Sequence, residues 1–262
     1  MFIQFNSLKT TLVKKSNPLQ SKFSKFVLLG IWFAPLAIML LLVTACSQIS
    51  SNVFNSKPSE GIIKYKISFP DVSDESITAT LLPDQMTYAF TPTSFASNFE
   101  TVGGVFKNKI VANRNTRTVN HQLKIFRKKI QTKMLETDVI KMLADYPKAA
   151  VIRTSQTDTI AGYHCKKALI VFEDMDIKEI EVYYTDQIEM DSPNWCTQYH
   201  EIEGVLMAYE IVEFGIRMRL EAEEVKTPLQ NPEMLQAEAE YSEITREMMD
   251  IELEQLVQTF EL

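Results

Sequence analysis

The chain has 262 residues, 27 of them basic and 34 acidic, a formal net charge of −7, and 45% apolar side chains. That apolar share is enough for a packed core. The acidic balance excludes a general nucleic-acid binder, which needs clustered Lys and Arg against phosphate. No phosphate-binding loop, dinucleotide glycine fingerprint or G-x-S-x-G elbow occurs, so the common nucleotide and hydrolase chemistries have no carrier here.

The amino end is unlike the rest. Residues 1–25 hold Lys9, Lys14, Lys15, Lys22 and Lys25 and no acidic residue, and residues 26–45 (FVLLGIWFAPLAIMLLLVTA) are all apolar or small. A basic region, an apolar run and a small-residue exit make a secretory signal. The run ends Val43-Thr44-Ala45-Cys46, which resembles the bacterial lipobox. The resemblance implies diacylation of the Cys46 sulfur, cleavage before it and acylation of the new amino end. Two or more acyl chains hold a protein firmly where one is marginal. The other reading is an uncleaved transmembrane anchor, because about 20 apolar residues span a bilayer. Residue 47 is Ser rather than the Asp that resembles an inner-membrane retention signal in enteric bacteria, which points to the outer membrane.

Taking residues 1–45 as a signal peptide leaves 217 residues with 22 basic side chains (27 less five) against 34 acidic, a net charge of −12. Residues 46–59, rich in Ser and Asn, predict a flexible tether. Residues 60–228 predict a β domain, beginning with GIIKYKISF, in which Ile63, Tyr65, Ile67 and Phe69 alternate with polar residues. Further strands are predicted at 76–82, 85–91, 103–113 and 116–125, punctuated by Pro70, Pro83 and Pro92. Thr137-Asp138 is placed to cap a short helix, VIKMLADY, ended by Pro147. AAVIRTS, CKKALIVFE and EIEVYYTD then predict an antiparallel meander. After the irregular stretch NWCTQYHEIEG, VLMAYEIVEFG and IRMRLEAEEV predict a strand pair turning near Gly215. Residues 229–262 predict one long acidic amphipathic helix, with Asn231 as N-cap, Pro232 in the first turn and Tyr241, Ile244, Met248, Ile251, Leu256 and Phe260 on the apolar face.

Four features bear on chemistry. The segment 107–133 carries only basic charge, and Arg114, Arg117, Lys124, Arg127, Lys128 and Lys129 are candidate contacts for anionic lipid or an acidic partner, the other account being a solvated strand face. With Cys46 lipidated, Cys165 and Cys196 are left either as a disulfide in an oxidising compartment or as two free thiols. The pairs His164-Cys165 and Cys196-x-x-x-His200 do not make a metal site, because neighbours in a strand point to opposite faces and two ligands are too few. The carboxylates Asp71, Asp74, Glu75, Glu173, Asp174 and Asp176 lack the Gly and distal Glu of a calcium loop. No cofactor, metal or catalytic constellation is expected.

Thr159-Ile160-Ala161-Gly162-Tyr163-His164-Cys165-Lys166, then Glu181-Val182-Tyr183-Tyr184-Thr185, then Gly204-Val205-Leu206 resemble the shared motifs of GLPGLI-type and related secreted proteins of Bacteroidetes, and Gly61–Tyr65 is similar to their first strand. The chain departs in having Tyr183 where Trp is common and in its acidic carboxyl-terminal segment. The resemblance implies a LolA/LolB-like fold, a curved antiparallel open half-barrel (mainly β, α+β) with helices across its mouth, and it brings no catalytic residues. The expectation is therefore a non-enzymatic, lipid-anchored periplasmic or outer-membrane protein that binds an apolar ligand. Twelve methionines, seven beyond residue 174, would suit an adaptable lining. The alternative is an envelope assembly protein that engages a partner through the acidic helix.

Overall fold

The computed structural model describes residues 56–73, 82–101, 103–173, 179–213 and 216–260. The signal segment, Cys46, most of the tether, all but the end of the predicted strand 76–82, the turn at Gly215 and the carboxylates Asp74, Glu75, Asp174 and Asp176 lie outside these residues. The chain divides into Met1–Ser56 and Lys57–Leu262, and the account below concerns the second unit.

That unit is mainly β. Its strands are β1 (Gly61–Ser68), β2 (Gln85–Thr91), β3 (Ser94–Glu100), β4 (Phe106–Asn113), β5 (Thr118–Ile125), β6 (Lys128–Met134), β7 (Ala149–Ile160), β8 (Tyr163–Phe172), β9 (Glu179–Thr185), β10 (Val205–Glu213), β11 (Ile216–Lys226) and β12 (Ser242–Glu243). Among the described residues two α-helices accompany them, α1 (Glu136–Asp145) and α2 (Arg246–Phe260). All twelve strands join one sheet in the order β12-β6-β5-β4-β3-β2-β1-β11-β10-β9-β8-β7. Its two ends, β12 and β7, do not meet, so the sheet is open, in agreement with the expected fold class.

The registers define two faces. Tyr65 opposes Met86, Met86 opposes Phe99, Phe99 opposes Asn108 and Asn108 opposes Leu123. On this inner face Tyr65, Met86 and Phe99 join Ile63, Phe90 and Leu220 in one core cluster, and Leu123 lies in another. On β1 the outer positions Lys64, Lys66 and Ser68 are exposed while Ile63, Tyr65 and Ile67 are buried, as the alternation predicts. The β7–β8 connection is a two-residue turn, Ala161-Gly162, both at positive φ (49° and 83°), closed by the Ile160–Tyr163 pair. Glycine at the second position removes half of the steric cost of that turn. Beyond it, His164 and Lys166 face out and Cys165 is buried.

Three expectations are corrected. Strands β3 and β6 were not among the predicted elements. Helix α1 starts at Glu136, one turn earlier than predicted: Asp138 is not the cap but the third helical residue, and its carboxylate accepts from Leu135 N at 3.0 Å. The long terminal helix does not begin at Asn231. Asn231 caps only a 3-10 turn, Pro232–Leu235, by accepting from Glu233 N at 3.1 Å.

The chain then runs extended across the outer face. Gln122 donates to Glu238 O and accepts from Glu238 N, both at 2.8 Å, and Lys109 Nζ donates to Gln236 O at 2.7 Å. These bonds hold residues 236–238 in a non-helical conformation that intrinsic propensity would not choose. At the sheet edge Ser242-Glu243 pair in parallel with β6. Only then does α2 start, capped by the Thr245 hydroxyl, and it lies on the inner face, with Met249 buried against Leu123 and Ile130. The carboxyl-terminal segment thus clips the sheet edge from both sides. Covering an edge in this way blocks strand addition by another chain.

Candidate functional site: an aromatic chamber on the inner face

The inner face of β1–β6 and β10, the segment 193–199, α1 and α2 together enclose a chamber of about 470 Å³. This lies within the 300–1,000 Å³ usual for small-molecule sites. The alternation of the strands supplies its walls: Met86 and Tyr88 from β2, Phe95 and Phe99 from β3, Ile110 from β4, Val119 from β5 and Met134 from β6. Its roof is the segment after Pro193, which hangs from the Asn194 amide, a donor to Ile202 O at 2.8 Å and to Gly204 O at 2.9 Å.

At the centre is a cluster of tyrosines. The Tyr65 ring meets Tyr88 and Tyr209 edge to face, with centroids 6.4 Å and 5.9 Å away, and Tyr209 meets Tyr199 at 5.8 Å. Tyr88 stacks on Phe95 at 5.1 Å. Such geometries add about 0.5–1.5 kcal/mol per pair beyond burial. Tyr65 and Tyr199 spend their hydroxyls on the carbonyls of Leu206 and Glu210. Burial raises the pKa of Tyr65, Tyr88 and Tyr209, so all three phenols are neutral.

His121 lines the chamber from β5, its Nε2 2.7 Å from Asn108 Oδ1. Burial lowers its pKa from 6.5 to about 4, so the imidazole is neutral near pH 7. The folded-state value lies below the unfolded one. As pH falls through 6.5 the unfolded chain takes up the proton first, and stability is lost between pH 6.5 and about 4, then levels off. The expected result is a urea midpoint that falls over this interval more steeply in the parent chain than in His121→Gln. Parallel curves for the two would refute it.

The mouth is closed by charge. Arg246, the first residue of α2, lies 3.0 Å from Asp145 of α1 and 3.7 Å from Asp250. All three line the chamber, and burial is the main cause of the raised Asp250 pKa.

The residues singled out from sequence fall elsewhere. Cys165 and Cys196 are both free thiols, buried in different apolar clusters, so the structure contains no bridge between them. Burial pushes both thiols up, Cys196 to about 12, which makes them inert at neutral pH. Cys196 alone of the two lines the chamber. Among the described residues no three His, Cys, Asp or Glu side chains converge as a metal site would require.

The basic candidates are partly engaged within the chain. Arg117 pairs with Glu136, Lys128 with Glu252 and Lys129 with Glu240. Lys107 and Lys109 both pair with Glu238. Arg114, Lys124 and Arg127 have no ion pair among the described residues. Beside Arg127, at the tip of the β5–β6 hairpin, Phe126 is 71% exposed.

The chamber's methionines are Met86, Met134 and Met142, all before residue 174, so the methionine-rich later half does not supply the lining. Tyr65, Tyr88, Tyr209, His121 and Asn108 were not among the sequence candidates. Tyr65 and Tyr209 sit at inward positions of predicted strands, a signal that was available.

No family model matches the chain, so the motif resemblance to GLPGLI-type proteins stands on those motifs alone. No curated protein matches it either. Among solved structures, the chain is similar to a structure of PNGF-II, with a TM-score of 0.47 and 19% identity over 75% of this chain and 32% of that one. It is also similar to MucB in complex with MucA(peri), with a TM-score of 0.29 and 10% identity over 76% and 62% of the two chains. A MucA/MucB complex of Pseudomonas aeruginosa gives a TM-score of 0.29 and 9% identity over 69% and 56%. The chain therefore spans about a third of the first protein and less than two thirds of the others.

Proposed function

We propose that this protein is a non-enzymatic component of the bacterial cell envelope that binds an apolar ligand in the inner-face chamber. It is exported by its signal and held at the outer membrane through lipid on Cys46. The observation that carries the reading is the chamber itself. It is a cavity of about 470 Å³ walled by Met, Phe, Ile and Tyr side chains in a sheet whose terminal helix packs at one edge and does not fill the concavity. The basic region 1–25, the apolar run 26–45 and the Val43–Cys46 motif support export and anchoring. Arg114, Lys124 and Arg127, the candidates without an intramolecular ion pair among the described residues, are the ones proposed to face anionic lipid. No helix among the described residues is long and apolar enough to cross a membrane.

A second reading, engagement of a protein partner, has one observation in its favour. Met248 and Ile251, one turn apart on α2, are 47% and 44% exposed. Native mass spectrometry of the purified full chain separates the two. A co-purified lipid-sized adduct is expected. Its repeated absence together with a stable stoichiometric complex with another protein would replace the first reading with the second.

A further inference from the structure

Apart from Arg246, Asp145 and Asp250, the polar side chains that line the chamber, Ser97, Asn108, Asn194, Thr197 and Gln198 among them, are uncharged. Tyr88 and Tyr209 line it, and their hydroxyls have no hydrogen-bond partner among the described residues. The His121 Nε2 bond to Asn108 Oδ1 makes Nε2 the donor, which leaves Nδ1 of the neutral ring as an acceptor. Ser97 lies on the same wall, directly across from Tyr88. Among the described residues, charge enters the lining only at the mouth, where one cation, Arg246, lies between two carboxylates, Asp145 and Asp250. That group is net negative and its cation is already engaged.

We infer that the chamber selects amphiphiles whose polar end is an uncharged hydroxyl or carbonyl, and discriminates against carboxylates of the same chain. The inference rests on the proposed function and names the ligand class for that same site. A ligand hydroxyl has the unpartnered Tyr88 and Tyr209 hydroxyls as donors or acceptors, with His121 Nδ1 a further acceptor in the lining of the same chamber. A carboxylate loses its hydration on entry and finds no free cation to replace it, while the acidic pair at the mouth repels it. The low His121 pKa agrees, because it keeps the ring an acceptor near pH 7.

The test uses the full chain in detergent and displacement of a fluorescent acyl-chain probe. The competitors share one alkyl chain and end in a hydroxyl, a carboxylate, an amine or a methyl group, and the pH is kept where the carboxylate is ionised. The alcohol is expected to compete about tenfold better than the carboxylate, the worth of one good hydrogen bond. The double variant Tyr88→Phe/Tyr209→Phe should bring the alcohol down to the methyl-ended control without lowering the unfolding midpoint. A carboxylate or amine that competes as well as the alcohol, or an alcohol advantage untouched by the double variant, overturns the head-group inference while the apolar site stands. Failure of every member, the methyl-ended control included, overturns the proposed function and this inference together.

Discussion

Gly204→Ala is expected to lower the stability of the unit by about 2 kcal/mol and Gly204→Val by more, with the loss passing directly to the chamber. A Cβ at this position would sit 2.6 Å from the backbone oxygen of Thr185 and 2.8 Å from Cδ2 of Tyr184. Thr185 is the partner of Val205 in the β9–β10 pairing, so its oxygen cannot withdraw without breaking that ladder. Gly204 O is also one of the two carbonyls that hold Asn194 and hence the roof segment. Displacing residue 204 therefore loosens Cys196 and Tyr199, which close the chamber from above. Urea titration should show a lower midpoint at unchanged slope, and acyl-probe affinity should fall in parallel. An unaltered midpoint would mean that the close approach at Gly204 is not present.

Deleting Asn231–Leu262 is expected to cost on the order of 5 kcal/mol and to change the state of association. Met249 is 1% exposed and Tyr241 9%, and full burial of such side chains stabilises by about 1.5–3 kcal/mol each. Their removal also uncovers Leu123 and Ile130 on the inner face. On the outer face it frees Gln122, 1% exposed in the intact chain, and leaves Lys107 and Lys109 without Glu238. Loss of β12 opens the β6 edge to strand addition. Size-exclusion chromatography with light scattering should report concentration-dependent association of the truncated chain, together with a lower unfolding midpoint. A monomer of parental stability would show that the clip contributes nothing to the fold.

The parts of this architecture legible in the sequence are those where one face is wet. β1, β8 and β11 alternate cleanly because Lys64, Lys166 and Glu221 face water opposite Tyr65, Cys165 and Leu220. β3 was not legible because Ala96 and Ser97 are both buried, the outer face of that region being covered by the returning carboxyl-terminal segment, so SFASNFE shows no period. β6 was hidden in the basic run, whose lysines share the outer face with Glu238 and Glu240. Residues 236–243, free of Gly and Pro, carry an apolar spacing that continues into a real helix. Only the contacts with Gln122, Lys109 and β6, more than a hundred residues away, make them extended. The chamber assembles from β1, β2, β5 and β10 across the middle of the sheet. Tyr65, Tyr88, His121 and Tyr209 come to line one cavity through strand order, which no local pattern encodes.

The central claim is that an apolar ligand occupies the chamber, and filling the chamber tests it most directly. Ile110 lines the wall between Ser97 and His121, and Ile110→Trp places an indole in the cavity. The measurement is equilibrium binding of a fluorescent acyl probe to the parent chain and to this variant, with circular dichroism and the unfolding midpoint as controls for folding. Saturable binding at one probe per chain that weakens at least about tenfold in a folded Ile110→Trp protein is the predicted result. Equal binding to a folded Ile110→Trp protein would contradict it.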